Sequence, residues 1–153
     1  MTQQVSKQIR LPFNPTARSE AMVIHCSDHK YQSAFDYFVA SRGIRYPARI
    51  IIPGGAHDFT AKRRSHTFDD VRDRANFIIK ELTPVMAVII GHQECQWYKK
   101  HRPEQSQEFR ELKTRQHLTR LAEVVRSLEK RLTIECYMAE IVGGHITFNP
   151  FLG

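Results

Sequence analysis

The sequence predicts an α/β fold: a mainly parallel sheet of four strands flanked by helices, with an antiparallel edge strand from a C-terminal hairpin. Three observations predict it. Short apolar runs of strand length recur at residues 21–25, 48–52 and 85–90, segments of helical period separate them, and Gly143-Gly144 stands between two β-rich runs. At 153 residues the chain fits one domain, divided here into an N-terminal arm (1–20) and the domain proper (21–153).

Residues 1–20 are polar and carry Pro12 and Pro15, which predicts an extended arm. Ala21-Met22-Val23-Ile24-His25 is apolar enough for a strand buried on both faces. Over residues 31–42, Tyr31, Phe35 and Phe38 fall at helical spacing, and Gly43 is placed to stop that helix. Ala48-Arg49-Ile50-Ile51-Ile52 is the second strand, halted by Pro53-Gly54-Gly55. Phe68, Val71, Ala75, Ile78 and Leu82 mark the next helix, with Thr67 as N-cap, Asp69 and Asp70 in its first turn and Pro84 at its end. Val85-Met86-Ala87-Val88-Ile89-Ile90 is the most apolar strand, closed by Gly91. A polar, basic loop and then the longest helix follow, the latter with an apolar stripe of Phe109, Leu112, Leu121, Val125, Leu128 and Leu132. Thr133–Val142 and the run from His145 to Phe148 flank the Gly-Gly pair, a hairpin signal.

Composition narrows the function classes. The 23 Lys and Arg against 16 Asp and Glu give a net charge of +7, compatible with a polyanionic partner. The basic clusters, Lys62-Arg63-Arg64 and Lys99-Lys100-His101-Arg102, read as solvated loops, because no nucleic-acid motif accompanies either; nucleic acid is not expected as a partner. No apolar run approaches the ~20 residues of a membrane span. With 3 Cys, the chain lacks a secreted disulfide framework, and a cytoplasmic location is expected. Loops that cradle phosphates and the elbow that presents a nucleophilic serine are both missing from the sequence.

Open parallel sheets bind ligands at the C-terminal ends of their strands. Cys26 follows the first strand, in Cys26-Ser27-Asp28-His29-Lys30. His92 and Cys95 follow the third, in Gly91-His92-Gln93-Glu94-Cys95. Two thiolates and one imidazole make a ligand set for a soft, tetrahedral ion such as zinc, and three protein ligands leave a fourth position for water. A Cys26–His92 nucleophile pair is the competing arrangement, but Cys95 is explained more simply as a ligand.

Cys-x-Asp after the first strand and Gly-His-x-x-Cys after the third resemble the motifs of the beta-class carbonic anhydrases, and the resemblance runs from about residue 21 to the end. It implies a single carbonic-anhydrase-like zinc domain, a lyase that reversibly hydrates CO2 to bicarbonate by zinc-bound hydroxide. Cys26, His92 and Cys95 are the implied metal ligands, and Asp28 the residue that orients hydroxide or fills the fourth site itself. It further implies a homodimer or higher homo-oligomer, with the N-terminal arm laid on a neighbour. The chain departs from the family at three places. Lys30 stands where the motif has Arg, offering one point charge instead of a planar fork to restrain Asp28. Pro53-Gly54-Gly55-Ala56 replaces Arg-Asn-Ala-Gly, and Gln96 replaces the Gly after the second Cys. These leave two alternatives beside CO2 hydration: a zinc hydrolase of an analogue such as COS or CS2, or a catalytically idle metal-binding relative serving as a binding or regulatory module.

His57 and Asp58, after the second strand, are candidates for a proton shuttle or substrate contact, or for an ordinary loop His and a capping Asp. His29 either lines the pocket or simply precedes the helix. His25 is expected as a hydrogen-bonded buried residue and Cys136 as core. Trp97 and Tyr98 wall the cleft or fill a dimer contact.

Overall fold

The computed structural model describes residues 11–56 and 66–152. Its five strands, β1 (Ala21–Cys26), β2 (Ala48–Ile52), β3 (Met86–His92), β4 (Thr133–Val142) and β5 (His145–Leu152), form one sheet in the order β2-β1-β3-β4-β5. The first four are parallel, and β5 pairs antiparallel with β4 at one edge, as the sequence predicts. Four α-helices connect them: α1 (Gln32–Ser41), α2 (His66–Phe77), α3 (Gln96–His101) and α4 (Gln107–Leu128). Among the described residues, no helix is long and apolar enough to cross a membrane.

The central strands β1 and β3 are apolar up to their C-terminal ends because helices cover both faces. Every residue of β1 is buried, and alternation splits the side chains. Met22 and Ile24 pack with Ile89, Leu118, Leu121 and Val125 on the α2–α4 side. Ala21 and Val23 pack with Phe35, Val39 and Ile90 on the α1 side. In the hairpin, Gly143 and Gly144 have φ of +56° and +78°, the left-handed pair that a two-residue turn matched to strand twist requires.

Four local expectations are corrected. β3 does not close at Gly91 but runs through His92, because its pairing with β4 continues to His92 opposite Ala139. The basic loop after Cys95 holds the short helix α3, too brief to leave a periodic signal. The helix begun at His66 ends at Phe77, and Ile78–Leu82 is a π-helical turn capped by Thr83 in the left-handed region (φ +47°). In α4, Phe109 and Leu112 are exposed, since each lies nine residues, about half a revolution, from Leu118 and Leu121 on the buried face. Leu132 is buried but lies beyond the end of that helix.

Residues 11–20 enter neither helix nor strand, and Leu11 and Phe13 are exposed. The rest of the expected arm, Lys62-Arg63-Arg64, and both His57 and Asp58 lie outside the described residues.

Gly91 lets α4 approach the sheet: a Cβ there would lie 2.5 Å from Leu118 Cδ1 and 2.9 Å from Thr114 Cγ2. Gly91→Ala is therefore expected to destabilise the fold by about 1–3 kcal/mol through overpacking, read as a lower midpoint in urea unfolding.

Candidate metal centre

Strands β1 and β3 are neighbours in register, with His25 opposite Ile90, so Cys26 and His92 both end up at the C-terminal rim of the sheet. There the chain order switches: β1 is flanked by β2 on one side and β3 on the other. The turn after β3 brings Cys95 back as the residue preceding α3, and a left-handed Glu94 (φ +56°) makes that reversal possible. One ligand atom each from Cys26, His92 and Cys95 lies within 4.8 Å of the other two, and all three side chains are buried. The two sulfurs are 3.8 Å apart. No disulfide joins them.

The imidazole is oriented by its surroundings. His92 Nδ1 lies 2.8 Å from the Gln93 carbonyl, which can only accept, so Nδ1 carries the proton. Nε2 then holds a lone pair, buried and without a hydrogen-bond partner. A buried acceptor left unpaired beside two thiols is what a cation ligated by this set would satisfy.

The thiols behave as a pair. Cys26 is held well below the ordinary thiol range, first by the hydrogen bond from Cys95. Cys95 is held up by that same hydrogen bond and by burial. One proton leaves easily and the other is retained, because two thiolates at this spacing in a buried site repel each other. The Gly54 N–H also donates to Cys26 Sγ, at 3.2 Å.

Asp28 is buried, and its Oδ1 accepts from the Lys30 N–H at 3.1 Å. Its Oδ2 is buried with no hydrogen-bond partner. The Lys30 side chain is exposed and makes no ion pair with Asp28, so the residue at position 30 holds Asp28 through its backbone, which any amino acid but proline supplies. His29 is exposed at the rim, its Nδ1 3.9 Å from Asp28 Oδ1.

A cavity of about 280 Å³ opens beside Cys26 and Asp28, walled by Pro53, Gly54, Trp97 and Lys100. Trp97 thus walls the cleft, and its indole packs at a tilt against His101 with centroids 4.1 Å apart. Tyr98 instead turns inward against Cys26 and Cys95 and meets His117 Nδ1 at 2.5 Å. His25 is buried, bonded to the Cys26 carbonyl at 2.9 Å and to Arg49 at 3.3 Å, and burial foremost depresses its basicity. Cys136 is fully buried, and burial pushes its thiol up to about 12.

Sequence reasoning missed Tyr31, Gln93 and His117 as parts of the site, because polar residues on helical or turn positions announce no role until tertiary contacts assign one. Tyr31 at least had a signal: it immediately follows the Cys-x-Asp-x-Lys segment.

No family model matches the sequence, and no curated protein does. Solved structures do match, and those named below are all beta-carbonic anhydrases. The Aspergillus fumigatus beta-carbonic anhydrase CafD has a TM-score of 0.55 at 12% identity, over 94% of this chain and 95% of that one. Isoform I from Trichomonas vaginalis gives 0.53 at 14% identity, over 92% and 87%. A tetrameric beta-carbonic anhydrase from Sordaria macrospora gives 0.54 at 12% identity, over 89% and 84%. The chain has a beta-carbonic-anhydrase-like fold.

A Cβ on Gly54 would lie 2.4 Å from Trp97 Cδ1, and its φ of +73° is itself costly for any side chain. Gly54→Ala should destabilise the protein by about 1–2 kcal/mol and shift the emission of the one Trp in the chain, followed by fluorescence during unfolding.

Proposed function

We propose that the chain is a zinc-dependent lyase that reversibly hydrates CO2 to bicarbonate. The observation that carries this reading is the convergence of Cys26, His92 and Cys95, with ligand atoms within 4.8 Å of one another, at the strand ends of a beta-carbonic-anhydrase-like fold. Two soft sulfurs and one imidazole nitrogen suit zinc over hard cations. When bound, zinc supplies Lewis acidity that makes water a nucleophile near neutral pH.

The chain's own residues do the rest. His92 presents Nε2 because Gln93 holds its other nitrogen. Asp28, anchored at Oδ1, keeps Oδ2 as a free acceptor that can orient a donor arriving in the cavity. The Trp97 and Pro53 surfaces suit a small apolar substrate, and Lys100 at the rim supplies a cation for the departing anion. A homo-oligomer belongs to the same reading, supported by the tetramer from Sordaria macrospora and by Leu11 and Phe13 exposed on the segment before β1.

The test is metal content followed by turnover. Purified chain should carry about one zinc, and stopped-flow assay should show CO2 hydration; no zinc under reducing, chelator-free conditions refutes the proposal. Full zinc without hydration points instead to COS or CS2 as substrate, or to a binding module. Cys95→Ser should weaken zinc by more than the roughly 100-fold typical of losing an outer-shell partner. Asp28→Ala should retain zinc but lower hydration about 10–100-fold, whereas Lys30→Ala, which keeps the backbone donor, should stay near wild type.

Zinc affinity should also depend on pH. The cation must displace the proton that Cys95 retains, so affinity falls as pH falls, by about tenfold per unit for each proton displaced. Chelator competition across neutral to alkaline pH reads the slope; a flat profile contradicts a thiolate site.

A further inference from the structure

Tyr31 lies just before α1, and its side chain is buried. Its O–H donates to the Gln93 carbonyl at 2.9 Å, the same oxygen that takes His92 Nδ1–H at 2.8 Å. Its ring packs against the His92 imidazole at a tilt of 43°, with centroids 4.1 Å apart. Its backbone N–H donates to the Asp28 carbonyl at 3.2 Å. One residue therefore ties the Cys26–Asp28 turn to the His92–Cys95 turn.

We propose that Tyr31 is a positioning residue for His92, acting through the Gln93 carbonyl. A carbonyl oxygen has two lone pairs, and here Tyr31 and His92 take both. The next residue, Glu94, sits at φ +56°, a strained conformation that persists only when its surroundings over-determine it. Three further contacts fix the same segment. The Gln93 N–H bonds to the Ala139 carbonyl at 3.0 Å, its side-chain oxygen accepts from Ile141 N at 2.8 Å, and Lys99 pairs with Glu94. The Tyr31 hydroxyl completes the set on the face nearest the imidazole. It locks the Gln93–Glu94 peptide plane, which fixes the tautomer and aims Nε2 at the two thiols.

The hydroxyl, not the ring, carries this role, so Tyr31→Phe is the informative variant: it keeps the packing on Phe35 and His92 and deletes one donor. The affinity part of the test rests on the zinc reading above; the tautomer part does not. In full-length protein, Tyr31→Phe should raise the zinc dissociation constant about 10–100-fold and shift the visible bands of the cobalt-substituted site. An unchanged constant with an identical cobalt spectrum overturns the proposal. In the chain freed of metal, nitrogen–proton correlation spectra should show His92 as the Nδ1–H tautomer in wild type and a mixture in Tyr31→Phe. A wild-type Nε2–H tautomer overturns the proposal even where the variant fails to fold. If wild type binds no zinc, the lyase reading falls, and the tautomer comparison alone decides for or against Tyr31.

Discussion

The site depends on the register between β1 and β3. Both strands are buried on both faces, so sliding one past the other by a single residue would swap its two sets of apolar side chains between the two cores. With His25 fixed opposite Ile90, the residues that follow emerge side by side: Cys26 from one strand, Gly91 and His92 from the other. The chemistry of the rim is thus set by burial several residues away. Nothing at the rim has to supply the energy that brings a sulfur and an imidazole together.

What the rim lacks is a charge of its own to compensate the sulfurs. Two thiols 3.8 Å apart cannot both ionise cheaply in a buried site. The neighbouring donors are neutral: the Gly54 N–H and the proton shared between the sulfurs. Lys30 is exposed, as is Lys100 at the edge of the cavity, and both are too solvated to offset charge at the sulfurs. Such an arrangement leaves the compensating charge to a cation. The same logic explains Asp28, whose carboxylate is restrained by one backbone N–H and retains an unpaired oxygen.

The loops around the cluster are fitted to one another. The indole of Trp97 rests against Gly54, and α3, with Tyr98 anchored on His117 of α4, holds Cys95 from behind. The basic run at Lys99-Lys100-His101 forms the last turn of this helix, where cations face its carbonyl end. Lys99 pairs with Glu94, while Lys100 reaches the cavity wall. Part of the charge excess is therefore local to the site.

Much of this was legible in the chain. The apolar runs, the helical periods and the Gly-Gly turn specify a parallel sheet with an antiparallel edge, because burial and backbone sterics act on neighbours in sequence. The Cys26, His92 and Cys95 triad was legible too, since strand ends are predictable and ligand chemistry is written in residue type. Sequence could not decide how far β3 extends, that a basic stretch coils into α3, or which face of α4 is buried, because each rests on pairing or packing with distant segments. Nor could it say that position 30 contacts Asp28 through its backbone, that Tyr31, Gln93 and Tyr98 pack around Cys26, His92 and Cys95, or that His117 stands behind Tyr98. Hydrogen bonds between residues 62 or 19 positions apart leave no periodicity to read; only the folded chain brings their donors and acceptors within 3 Å.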